Sequence, residues 1–131
     1  MSTANESVFR EVLAACSLSV EAAQASVRKN FTEDCRWQQS GFPTTTGPEE
    51  AAALLGSLAD SIGMVRIDVE YRHVACTDDV VFTERLDWLV QADGTRLGPG
   101  VVVSIAKFRD GKISSWSEYF ETSGFEQNLS T

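Results

Sequence analysis

Apolar positions follow two different periods along the chain, and the change falls at Gly63. Before it they recur at spacings of three and four. Val8, Phe9, Val12, Leu13 and Cys16 mark one face of a first helix, and Thr3 and Glu6 stand in the S/T-x-x-E relation of a capping box at its start. Ser19 reads as the N-cap of a second, short helix through about Lys29, with Ala23 and Val27 as its buried positions. Phe31 to Gln39, which contains Trp37, reads as a brief strand. The stretch SGFPTTTGP is a loop by its Gly, Pro and Thr content, and Pro48 fits the first position of a helix over Glu49 to about Ile62. That helix places Ala51, Leu54, Leu55, Leu58 and Ile62 on one side and ends near Gly63.

Beyond Gly63 the period is two. In MVRIDVEYRHVAC, Val65, Ile67, Val69 and Tyr71 alternate with Arg66, Asp68, Glu70 and Arg72, the pattern of a half-buried strand. Asp78-Asp79 predicts a turn, VVFTERLDWLV a second strand, ADGTRLGPG a loop and VVVSIAKF a third strand. Arg109-Asp110-Gly111-Lys112 predicts a hairpin turn into a fourth strand, ISSWSEYFE. Helices followed by consecutive antiparallel strands predict an α+β fold, with N-terminal helices covering the concave face of a curved, mostly antiparallel sheet. No repeat, linker or low-complexity segment divides the chain, so residues 1–131 are expected to form a single domain.

The second strand carries the chemistry. Val80, Phe82, Leu86 and Trp88 share one face with Glu84, while Val81, Thr83, Arg85, Asp87 and Leu89 share the other. The first of these faces is too apolar to be left in water, and a second copy of the chain is its expected cover, making Phe82, Leu86 and Trp88 part of a homodimer contact. Arg85 and Asp87 then point inward beneath the helices. An inward Arg–Asp pair can be a structural ion pair that fixes register, or part of a site. The fourth strand favours the site, because Glu118 lies between Trp116 and Phe120 on one face and brings a second carboxylate inward. Trp37, Trp116, Phe120 and the Leu54–Leu58 stripe either line an apolar cavity there or fill the core.

Composition removes several other chemistries. Eleven Lys and Arg against 19 Asp and Glu give a formal charge of −8 with no basic cluster, which argues against nucleic acid or an anionic membrane as partner. Cys16, Cys35 and Cys76 form no CxxC pair, and His73 is the only histidine, so zinc sites, disulfides and His-dependent triads have little room. His73 falls at the end of the first long strand, on the side continued from Tyr71, and reads as structural rather than as a base. Glu6, Arg10 and Glu11 interrupt the amino-terminal apolar positions, so that segment reads as mature and the protein as cytoplasmic.

At these residues the chain resembles the limonene-1,2-epoxide hydrolase family, within the cystatin-like (NTF2-like) α+β cone group that also holds SnoaL-type polyketide cyclases and ketosteroid isomerases. The family's T-E-R-x-D stands here as Thr83-Glu84-Arg85-Leu86-Asp87, and its I-x-x-W-x-D-Y-F as Ile113 to Phe120, with Glu118 in place of the Asp. Phe31-x-Glu33-Asp34 and Gly47-x-Glu49 are further points of likeness, and the resemblance runs from about Val8 to Phe125. It implies that Asp87 is the general acid on an epoxide oxygen, Arg85 holds and polarises the carboxylates, and Glu118 is the general base on water. No metal or cofactor is implied. The family orients that water with a Tyr and an Asn where this chain carries Trp37 and Gln39; Gln39 keeps the amide, whereas the Trp37 indole can only donate. Three functions are therefore carried forward: an epoxide hydrolase or epoxide-opening enzyme on a small apolar substrate, a SnoaL-like cyclase or ketosteroid-isomerase-like enzyme using Glu118 as a carbon base, and a non-catalytic small-molecule-binding module.

Overall fold

Two helices, α1 (Thr3–Cys16) and α2 (Val20–Asn30), lead into strand β1 (Phe31–Gln39) in the computed structural model, which describes residues 3–126. They form where the sequence predicts them. Ser19 caps α2 by accepting a hydrogen bond from the Ala22 amide. The Thr3 side chain of the expected capping box lies outside the described residues; the Glu6 carboxylate accepts from Arg10 and from the Cys76 thiol. The expected loop at 40–48 holds a two-residue strand, β2 (Thr45–Thr46), before α3 (Gly47–Ile62). Gly63 ends α3 in the left-handed region, with φ 69°.

Four long strands follow: β3 (Met64–Cys76), β4 (Val80–Gln91), β5 (Arg96–Arg109) and β6 (Lys112–Tyr119). They pair antiparallel, but the sheet has six strands in the order β2-β1-β6-β5-β4-β3, because β1 lies parallel to β6. It is curved and unclosed, and the helices pack on one face. α1 contributes Phe9, Val12, Leu13 and Cys16 to the core, α2 Ala23 and Val27, and α3 Ala51 and Leu55, all against Trp37, Val81, Ala106, Phe108 and Trp116 of the sheet. The parallel pairing sets Trp37 beside Trp116 and Gln39 beside Glu118.

Three further features depart from the sequence expectation. β5 begins at Arg96, inside the predicted ADGTRLGPG loop, and a bulge opposite Trp88 absorbs the irregular residues. Gly98 makes this possible, since it sits at φ 136° and a Cβ there would come within 2.8 Å of the Asp87 carbonyl oxygen. A register shift between Tyr71 and His73 turns His73 off the inward side, where it pairs with Glu84 at 3.7 Å in solvent. A short helix, α4 (Ser123–Glu126), follows β6, which stops at Tyr119 and leaves Phe120 just past its end.

Candidate active site

Alternation along β4 buries Val81, Thr83, Arg85 and Asp87, and alternation along β6 buries Trp116 and Glu118. The ion pair of β4 and the carboxylate of β6 therefore meet across β5. Arg85 is 2% exposed, Asp87 8% and Glu118 4%. Nε and Nη2 of Arg85 donate to the two oxygens of Asp87, each at 3.0 Å, in a bidentate fork. Nη2 also donates to Oε2 of Glu118. Nη1 donates to Thr83 Oγ1 at 3.2 Å and Ser104 Oγ at 3.1 Å, and these two hydroxyls lie 2.7 Å apart. All five guanidinium N–H groups are thus used. The second oxygen of Glu118 accepts from the Trp37 indole at 2.9 Å, and Trp37 is stacked on Trp116 with ring centroids 5.2 Å apart.

One cation faces two carboxylates, so the trio carries a net −1 when both are ionised. Burial pushes the Glu118 carboxyl above its ordinary value, a shift reinforced by Asp87 and opposed by Arg85 and the Trp37 N–H. Burial would lower the Arg85 pKa, but Glu118 and Asp87 outweigh it and the net displacement is upward. A neutral thiol adjoins them: burial raises Cys16 to about 12.

Arg85, Asp87 and Glu118 open onto a cavity of ≈ 50 Å³, room for a few waters. Its other walls are mostly apolar: Leu13 and Cys16 of α1, Leu55 and Leu58 of α3, Ile67, Leu89 and Val102 of the sheet, and Trp37, Phe42, Trp116, Phe120 and Phe125. Gln39 also lines it. Among the described residues neither Gln39 Nε2 nor the Trp116 indole nitrogen, both buried, has a hydrogen-bond partner.

Of the residues singled out from sequence, Arg85, Asp87, Glu118, Trp37, Gln39, Trp116, Phe120 and Leu58 share this cavity. Leu54 does not. It packs against the core from one side of α3, and Leu55 takes the expected place because the inward stripe of α3 runs through Ala51, Leu55 and Leu58. Thr83 and Ser104, which hold the third corner of the guanidinium, were missed; the signal was a lone polar residue on the inward face of VVVSIAKF. Phe42, from the loop before β2, and Phe125, from the four-residue α4, had no periodic signal. Among the described residues no group of three His, Cys, Asp or Glu side chains could hold a metal ion, and no helix is long and apolar enough to cross a membrane.

The family of SnoaL-like domains matches residues 12–116, from the middle of α1 to Trp116. The chain belongs to the SnoaL-like domain family. Solved structures share its fold. An LEH-like epoxide hydrolase from M. tuberculosis is 24% identical, with a TM-score of 0.78 over 98% of this chain and 90% of that one. A protein from Jannaschia sp. CCS1 described as a SnoaL-like polyketide cyclase is 16% identical, with a TM-score of 0.79 over 98% of this chain and 93% of that one. TerC, co-crystallised with polyporic acid, is 15% identical, with a TM-score of 0.77 over 98% and 100%. One fold is thus shared by proteins described as an epoxide hydrolase and as a polyketide cyclase, and fold alone does not assign an activity to this chain.

Proposed function

We propose that the protein opens epoxides of small apolar molecules by acid–base catalysis without a cofactor. The observation that carries this reading is that Arg85 joins Asp87 and Glu118 at the wall of one apolar cavity. One proton on the trio neutralises it. In the reactive form that proton sits on Asp87 and Glu118 is ionised, its basicity increased by burial. Glu118 removes a proton from water as the water oxygen attacks one epoxide carbon; the C–O bond breaks, and the leaving oxygen takes the proton from Asp87. The product is a diol, and the proton now on Glu118 returns to Asp87 through solvent. Arg85 keeps its charge throughout and holds both carboxylates in place. Gln39, beside Glu118 in the sheet register, lining the cavity and with an Nε2 that has no partner among the described residues, is the group suited to orient the water.

Asp87→Asn tests the reading directly. Diol formation from a panel of small epoxides should fall at least about 10²-fold, the usual contribution of a positioned acid or base, with the far-UV circular dichroism unchanged. Unchanged turnover would return the Arg85–Asp87 pair to a structural role, and tight binding of the panel without turnover by the wild type would favour a binding module.

One observation favours a second reading. The Trp37 indole donates to Glu118 rather than offering an acceptor to a water. A buried carboxylate so held suits proton abstraction from carbon, as a polyketide cyclase would need, and enolisable polyketide-like substrates in the same screen separate the two.

The outer face of the sheet bears on assembly. Phe82, Val101, Val103 and Tyr119 are exposed there, with Leu86 and Trp88 half-buried among them, and the register sets Leu86 against Val101 and Val103 against Tyr119. Cover by a second copy accounts for these exposed apolar side chains, among which Glu84 and Glu70 also stand.

A further inference from the structure

Six residues of the cavity's lining are half-buried, Gln39, Phe42, Ile67, Leu89, Phe120 and Phe125, and the three phenylalanines among them form a chain of ring contacts. Phe42 and Phe120 are tilted with centroids 6.1 Å apart, and Phe125 meets Phe120 edge-on at 5.5 Å. Phe125 arrives from outside the sheet. It belongs to the segment after β6, whose turn closes on itself through Gly124 N–H to the Glu121 carbonyl and Phe125 N–H to the Thr122 carbonyl, both at 3.1 Å.

Two glycines hold that segment against the rest of the fold. A Cβ on Gly100 would lie 2.3 Å from the Phe125 ring, so the ring rests on bare backbone of β5. A Cβ on Gly41, in the loop after β1, would lie 2.6 Å from the Thr122 methyl. Gly124 itself approaches Pro99 and Gly100, where a Cβ would come within 3.3 Å of both. The segment therefore spans from the β1 end of the sheet to β5, seated at each side where side chains are missing. A methyl group added at Gly100 or Gly41 could be accommodated only if the side-chain end resting there moved away.

We propose that residues 121–126 form a strap across the cavity mouth and that Phe125, held on Gly100, sets the size of molecule that enters. The inference uses the cavity of the proposed enzyme but not its chemistry. The strap acts as a wall of fixed position: removing the ring widens the mouth, and adding a methyl group at its seat displaces it.

Acrylamide quenching of tryptophan emission tests this without any substrate. In a Trp88→Phe background the emission comes from Trp37 and Trp116, which both line the cavity. Phe125→Ala should raise the quenching constant at least about twofold, and Gly100→Ala, which dislodges the same ring, should raise it in the same direction. Unchanged quenching in Phe125→Ala overturns the proposal, and so does a rise confined to Gly100→Ala. Turnover supplies the second arm: Phe125→Ala should shift the kcat/KM ratio of trans-stilbene oxide to styrene oxide upward by about tenfold, and an unchanged ratio in an active enzyme overturns the role in size selection. Increased quenching in a protein that opens neither epoxide leaves the strap standing and removes epoxide opening instead.

Discussion

Glu118→Gln separates the electrostatics of the trio from its packing. The side chain keeps its size but has one acceptor oxygen where the carboxyl, ionised or protonated, has two. Its amide oxygen can accept from Arg85 Nη2 or from the Trp37 indole, and whichever donor is left faces an NH₂ group. A buried donor without a partner costs about 1–3 kcal/mol, so at pH 4, where the wild-type carboxyl is largely protonated, the variant should melt roughly 3–12 °C lower for a domain of this size. The sign of the pH dependence then follows from burial. The folded-state pKa of Glu118 is raised above its ordinary value of 4.5, so its contribution to wild-type stability is fully present below that value and is lost as pH rises through the folded pKa. The variant has no such group, and the other members of the cluster are common to both proteins; Cys16, at about 12, stays neutral throughout. The variant's deficit should therefore narrow as pH rises from 4.5 to the folded pKa of Glu118 and level off beyond it, as read from urea midpoints or thermal melts at four or five pH values between pH 4 and pH 8. A deficit that stays constant or widens over that range would refute an upward displacement of Glu118, and with it the view that burial strengthens this carboxylate as a base.

Trp37→Phe removes a donor that stabilises ionised Glu118, so the acidic limb of the pH–rate profile should move to higher pH; a limb that stays in place or moves down contradicts the role of the indole. Ser104→Ala removes one acceptor from Arg85 and the hydroxyl partner of Thr83, and should cost about 1.5–3 kcal/mol in chemical denaturation, the usual worth of a hydrogen bond to a charged group. A loss below about 0.5 kcal/mol would mean that this corner of the guanidinium is already hydrated. Leu86→Lys puts a charge at the centre of the outer apolar face and should halve the mass measured by sedimentation equilibrium; a wild type that sediments as a monomer removes the dimer proposal outright.

The fold and the site were legible to different degrees, and the difference is physical. Arg85, Asp87 and Glu118 were readable because period-two alternation assigns a face from the strand's own residues, with no knowledge of its neighbours. The helices were readable for the same reason, from their apolar stripes, the Ser19 cap and Gly63. His73 was misplaced because one inserted residue at the Tyr71/His73 shift reverses every later facing, and no local pattern marks such a bulge. The start of β5 was hidden by Gly98 and Pro99, which usually punctuate loops but here sit in a bulge against Trp88.

The sequence by itself determined which side chains face inward on β4 and β6, that the inward charges there are one Arg and two carboxylates, and that histidine and metal chemistry have little material to work with. Only the tertiary structure decided that β1 lies parallel to β6, which brings the Trp37 indole onto Glu118 from 81 residues away. It also decided that Ser104 and Thr83 complete the guanidinium's bonds and that Phe125, which lines the cavity, rests on Gly100. The facing of a side chain is set by backbone geometry within a few residues, whereas partnership between distant segments is set by how the whole sheet and its covering helices pack, and that information is distributed over the entire chain.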